Sequence, residues 1–187
     1  MEEKIFVSSD THFCHDRRFL YGARGYNSVH EMDEAIVENW NSVVGAEDQV
    51  YLLGDVMLND NEEGLRLLKS LNGHLHIVRG NHDTDNRVLE YFNCENVEEV
   101  QDQIKLIYKK VRILLTHYPT LVGNFDDGRS LHHGLLNLCG HSHTTDPFAD
   151  WNERGRIFHV ELDAHNLYPV ELDKILEMCR ERIERGE

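Results

Sequence analysis

The sequence predicts an α/β fold of two packed mixed sheets flanked by helices, and three observations predict it. Up to about residue 100, short apolar runs alternate with stretches of helical spacing, the order that builds a largely parallel sheet. From residue 104 to 162 strand follows strand, enough for a second sheet. Third, five apolar runs stop at a potential ligand or acid: Ile5-Phe6-Val7-Ser8-Ser9 at Asp10-Thr11-His12, Val50-Tyr51-Leu52-Leu53 at Gly54-Asp55, residues 75–78 at Arg79-Gly80-Asn81-His82-Asp83, residues 111–116 at His117, and residues 135–139 at Gly140-His141-Ser142-His143. Strands packed side by side present their carboxyl ends along one edge, so loops leaving that edge converge on a crevice. A chain of 187 residues can bury roughly 70% of its unfolded surface, and residues 1–187 read as one domain.

Taken in order, residues 4–9 form a short β-rich strand. Residues 10–27 mix Gly, Arg and aromatic residues too irregularly for one element and read as a loop over the site. This loop brings His15, Arg17, Arg18 and Arg24 near substrate or near carboxylates they offset, with Phe19, Tyr21 or Tyr26 as an apolar wall. Ser28-Val29-His30-Glu31 fits a capping box, followed by Met32, Ile36, Trp40 and Val43 at helical spacing; His30, in the first turn, reads as solvated. Residues 49–55 are the second strand. Asn61 opens a short helix with a Leu65, Leu68, Leu71 stripe ended by Gly73. Residues 83–100 are polar and acidic, with a short helix over 86–92, and Asp83 reads as a loop-fixing acceptor. Residues 104–108 and 111–116 are strands turned by Lys109-Lys110. Residues 118–133 form a second irregular segment near the site, in which His132 and His133 read as loop or edge histidines. Residues 157–162 alternate as a half-buried strand ending in Asp163-Ala164-His165, which line the cleft or simply make a turn. The last helix carries Leu172, Ile175, Leu176, Cys179 and Ile183 on one stripe.

Composition excludes several classes. Nineteen Lys and Arg stand against 34 Asp and Glu, a formal charge of −15 that repels polyphosphate backbones. No run of five basic residues occurs, and the densest basic stretch, 179–185, is interleaved with Glu, so long nucleic acid is a disfavoured partner. Cys14, Cys94, Cys139 and Cys179 are widely spaced without a Cys-x-x-Cys, and Met-Glu-Glu-Lys opens no signal-peptide run; the expectation is a reduced, cytoplasmic protein. No apolar run approaches the roughly 18 residues of a membrane span.

Asp, Asn and neutral His combine oxygen and imidazole donors, a set that suits manganese, iron or zinc and argues against a closed thiolate zinc site. Together Asp10-Thr11-His12, Gly54-Asp55, Gly80-Asn81-His82-Asp83, His117 and Gly140-His141-Ser142-His143 resemble the calcineurin-like metallophosphoesterase family in number, order and approximate spacing, across residues 4–165. A lone Gly-His-Ser-His would be weak; five elements in order are not.

The resemblance implies a four-layer α/β/β/α sandwich and two divalent or trivalent metal ions, manganese foremost. It implies that Asp10, His12 and His143 hold one ion and Asn81, His117 and His141 the other, with Asp55 bridging both, since one carboxylate can hold two cations about 3.5 to 4 Å apart. It implies that His82 is a catalytic non-ligand, stabilising the transition state or protonating the leaving oxygen. Many members place an Asp three residues after the bridging Asp to orient this histidine. Here that position is Leu58, which leaves Asn59, Asp60 or the backbone to hold His82. The implied activity is metal-dependent hydrolysis of a phosphomonoester or phosphodiester of a small molecule, a nucleotide among the candidates, by a bridging hydroxide. A non-catalytic scaffold on the same fold is the rival, but a scaffold has no need of His82. A nuclease is disfavoured by the charge.

Overall fold

In the computed structural model, residues 3–121, 130–151 and 155–186 are described; the middle of the irregular segment expected over 118–133 lies outside them. Among the described residues the strands are β1 (Ile5–Ser8), β2 (Gln49–Leu52), β3 (His74–Val78), β4 (Val97–Gln101), β5 (Ile104–Tyr108), β6 (Val111–Leu115), β7 (Leu135–Cys139), β8 (Arg156–His159) and β9 (Val170–Glu171). They form two mixed sheets. The larger runs β4-β3-β2-β1-β9, parallel except for β9; the smaller runs β5-β6-β7-β8, with β5 antiparallel and the rest parallel.

The helices are α1 (Arg18–Tyr21), α2 (Val29–Val43), α3 (Asn61–Lys69), α4 (Asp85–Tyr91) and α5 (Leu172–Glu184). The larger sheet is buried on both faces, and the two-residue period of its strands divides the core. Phe6, Leu75 and Ile77 face Met32, Ile36 and Trp40 of α2, Leu67 and Leu68 of α3 and Tyr91 of α4. Val7, Leu53 and Val78 face Ile113, Leu115, Leu136, Leu138 and Phe158 of the smaller sheet, and α5 adds Leu172, Ile175, Leu176 and Cys179 to this second cluster. The result is the expected α/β sandwich of two mixed sheets with flanking helices.

Ends differ from the sequence reading for local reasons. Ser28 caps α2 by accepting from the Glu31 amide, but the Glu31 carboxylate returns to the Asn27 amide, one residue before the cap. Asp60 caps α3, which stops at Lys69, so its buried face is Gly64, Leu67 and Leu68, and Leu71 is buried outside the helix. Strand β4 is too acidic to read as a strand. It is an edge strand whose Glu98 and Glu99 carboxylates meet the Nδ1 atoms of His74 and His76 at 2.8 Å, a cross-strand pairing only three dimensions reveal. Strand β8 is fully buried rather than half-buried, because Phe148 packs edge-on against Phe158 while Asp150 and Glu161 enclose His159.

The sheets are tied where their chains leave. Ser9 and Glu161 form a parallel bridge, and the Leu162 amide donates to Ser9 O at 3.3 Å. The carboxyl ends of β1, β2 and β3 and those of β6, β7 and β8 therefore open onto one edge.

One buried acid makes stability depend on pH. Asp33 of α2 is 4% exposed and accepts from the Cys14 amide at 2.9 Å. Burial pushes its carboxyl up to about 7, with the Cys14 bond opposing. The folded state thus holds a proton the unfolded chain releases near pH 4; the contribution is complete below that and lost as pH rises through about 7. Asp33→Asn should melt higher than wild type at pH 8 and converge with it near pH 4.5. Parallel melting curves across that range would contradict the charge penalty.

Candidate metal centre

Each strand delivers its polar residues through a turn that the backbone holds tightly. The Asp10 amide donates to Gly54 O, the His12 amide to Asp55 O and the Gly140 amide to His117 O, each at 3.0 Å, lacing the loops of β1 to β2 and β6 to β7. Asp10, His12, Asp55, His141 and His143 all have positive φ, between 49° and 74°. Left-handed backbone costs an L-residue about 1–2 kcal/mol, and clustering of such outliers points to a functional site. At Gly54, φ is 86° and an added Cβ would lie 2.5 Å from the Gly80 amide nitrogen and 2.9 Å from His117 Nδ1, so only glycine lets these loops close up.

The side chains so placed fall into two groups, Asp10 with His12 and His143, and Asp55 with His117 and His141; within each, the donor atoms lie within 4.8 Å of one another. In the first, His143 Nδ1 donates to Asp163 Oδ2 at 2.9 Å, which leaves the lone pair of Nε2 facing His12 Nε2 at 3.0 Å and Asp10 Oδ1 at 3.7 Å. Asp10 Oδ2 accepts from the His141 amide, whereas Oδ1 is buried without a hydrogen bond. Burial alone would raise the Asp10 carboxyl, but the surrounding imidazoles, His12 foremost at 3.7 Å, hold it near 2. In the second group, His117 Nδ1 donates to Leu53 O at 2.8 Å, so Nε2 turns its lone pair to Asn81 Oδ1 at 2.9 Å and Asp55 Oδ2 at 3.5 Å. Acceptors facing acceptors are unfavourable unless a cation lies among them, and this oxygen and imidazole set fits divalent metal. The four buried cysteines are free and outside both groups. Asp55 Oδ2 stands between the groups, also 3.7 Å from His12 Nε2.

A model of the calcineurin-like phosphoesterase superfamily domain matches residues 4–161. The chain belongs to the calcineurin-like phosphoesterase superfamily. This calcineurin-like chain is similar to the uncharacterized protein MJ1445 of Methanocaldococcus jannaschii, 33% identical over 98% of this chain and 93% of that one. It is also similar to the Gene 66 protein of Mycobacterium phage D29, 28% identical over 97% and 98% of the two chains. Its structure resembles that of a protein of unknown function, AQ665 from Aquifex aeolicus, with a TM-score of 0.67 and 25% identity over 95% of this chain and 100% of that one. The superfamily uses divalent metals, in keeping with the two groups.

Two further residues of the turn after β3 sit beside the groups. Asp83 is buried and accepts from the Gly80 and Asp55 amides through Oδ2 and from the Val56 amide and Tyr91 hydroxyl through Oδ1, fixing the turn. The His82 ring is 41% exposed, with Nε2 3.8 Å from Asp55 Oδ2. Its main chain is pinned at both ends, the amide donating to Asp55 Oδ1 and the carbonyl accepting from Arg87. Asn59 reaches instead to Cys14 O and Asp60 caps α3, while the side chains of Asp55 and Arg87 hold the His82 main chain.

The loop of residues 10–27 separates its candidates. His15 lies with its ring 5.1 Å from that of His12 and 5.7 Å from that of Phe19, and burial pushes its imidazole down to about 4. Arg17 and Arg18 are exposed. The Arg24 side chain is buried and forks onto both oxygens of Asp163, at 2.9 and 2.8 Å, while reaching Asp10 O. His165 bonds His159 O and stacks on Phe158, joining neither group; His132 and His133 also stand outside them. Asp163 is the residue the sequence underrated, although its place after β8 repeats the strand-end pattern of the others.

Proposed function

We propose that this chain is a dinuclear metal-dependent phosphoesterase that hydrolyses a phosphomonoester or phosphodiester of a small molecule, a nucleotide among the candidates. The observation that carries the reading is Asp55 Oδ2, within 3.7 Å of an imidazole nitrogen of each group. Asp10, His12 and His143 would hold one ion, Asn81, His117 and His141 the other, and Asp55 both, with manganese foremost and iron or zinc the alternatives. When bound, the ions supply positive charge for the phosphoryl oxygens and bring the pKa of water there close to neutral, so that hydroxide is on hand as nucleophile. His82, partly exposed and ungrouped, gives its proton to the departing alcohol oxygen. Asp83 and the Gly54–Gly80 approach hold the ligand-bearing turns rigid. No described helix is long and apolar enough to cross a membrane. The four widely spaced cysteines, free and buried, favour a reducing compartment, and the reading is of a one-domain cytoplasmic enzyme with a small-molecule substrate.

A screen of mono- and diesters at equal concentration, after chelation and again with manganese, iron or zinc restored, tests this. Hydrolysis of at least one ester class should vanish with the metal and return with it. Metal binding with no hydrolysis of any ester would leave the reading without support.

A further inference from the structure

Asp163 lies outside the superfamily motifs, yet it connects three parts of the molecule. It follows β8, its Oδ2 takes the Nδ1 proton of His143, and both its oxygens are gripped by Arg24, whose side chain is 1% exposed. Arg24 belongs to the same irregular loop as His15 and Phe19, and it also bonds the carbonyls of Asp10 and Thr11. A neutral imidazole has one donor and one acceptor nitrogen, so a carboxylate on Nδ1 decides that Nε2 presents its lone pair. The His143 side chain is 33% exposed and its ring stacks on that of His12, centroids 4.9 Å apart, a contact that leaves the choice of tautomer to Asp163.

We propose that Asp163, itself held by Arg24, is a positioning residue for His143: it fixes the tautomer and direction of the imidazole and thereby the affinity of the Asp10, His12, His143 group for metal. The inference rests on the two-metal reading and deepens it. The dependence is directional. Asp163 touches His143, whereas Arg24 touches Asp163 and the backbone of Asp10 and Thr11, so Arg24 acts on the imidazole at one remove. A carboxylate behind a metal-binding histidine also raises its basicity, and loss of such a partner costs about tenfold to hundredfold in affinity.

The test is manganese titration of purified wild type, Asp163→Asn and Arg24→Gln, read as two dissociation constants by calorimetry, with melting temperature recorded for each. Asp163→Asn should weaken one of the two sites by about tenfold to hundredfold and leave the other within a few-fold. Arg24→Gln should weaken that site less while lowering the melting temperature at least as much. Double replacement with His143→Ala should cost little beyond His143→Ala alone, because the group that Asp163 positions is already gone. Equal loss at both sites, or losses that track melting temperature across the two variants, would reduce the pair to a structural ion pair. Two unaltered constants in Asp163→Asn would overturn the positioning role while leaving the two-metal reading in place; wild type binding no metal would instead overturn that reading.

Discussion

His82→Ala should retain metal and lose roughly 10² to 10⁴ in turnover, the usual contribution of a positioned proton donor. Retention is expected because the His82 ring joins neither ligand group, and its hydrogen bonds with Asp55 and Arg87 run through main-chain atoms that alanine keeps. The loss should depend on the leaving group. An ester of a basic alcohol needs the proton as its bond breaks, so its hydrolysis should fall most; a nitrophenyl ester leaves as a stable phenolate and should fall least. Equal losses on both would recast His82 as an electrostatic stabiliser of the phosphoryl group. Undiminished hydrolysis of every ester with metals bound would remove His82 from the chemistry, and loss of a metal would make it a ligand.

Asp55→Asn should weaken both metals together, the largest effect expected of any single isosteric change. Asparagine can still accept the His82 amide bond that Asp55 Oδ1 accepts, so the turn should survive. What disappears is the negative charge between the groups. A unit charge about 4 Å from a cation is worth about 4 kcal/mol at an effective dielectric of 20, roughly a thousandfold in affinity for each ion. Because metal bound only by the folded state adds to stability, wild type should melt lower after chelation, and Asp55→Asn should melt like chelated wild type with or without added manganese. A variant that loses one ion and keeps the other would show that Asp55 serves a single site.

Much of the architecture was legible because strand ends carry a local signature, an apolar run meeting Asp, Asn or His, often through glycine. That signature marked the residues now found in the two groups, and parallel strands explain why sequence-distant turns arrive together. What was not legible depends on partners far along the chain. Arg24 and Asp163 are 139 positions apart, and nothing local distinguishes their pairing from a loop arginine and a turn aspartate. The acidic edge of β4 reads as solvated until His74 and His76 are set beside it, and β9 is only two residues long. The helical stripe of Leu65, Leu68 and Leu71 misplaced the end of α3 because Leu71 packs into the core from beyond the helix.

The most direct test of a dinuclear centre is the number of metal ions bound per chain at saturation, measured by elemental analysis on protein of known concentration alongside hydrolysis during stepwise manganese addition to chelated enzyme. Two ions per wild-type chain, with activity rising to a break at two equivalents, is the predicted result. One ion per chain at saturation, with full activity at one equivalent, would contradict it.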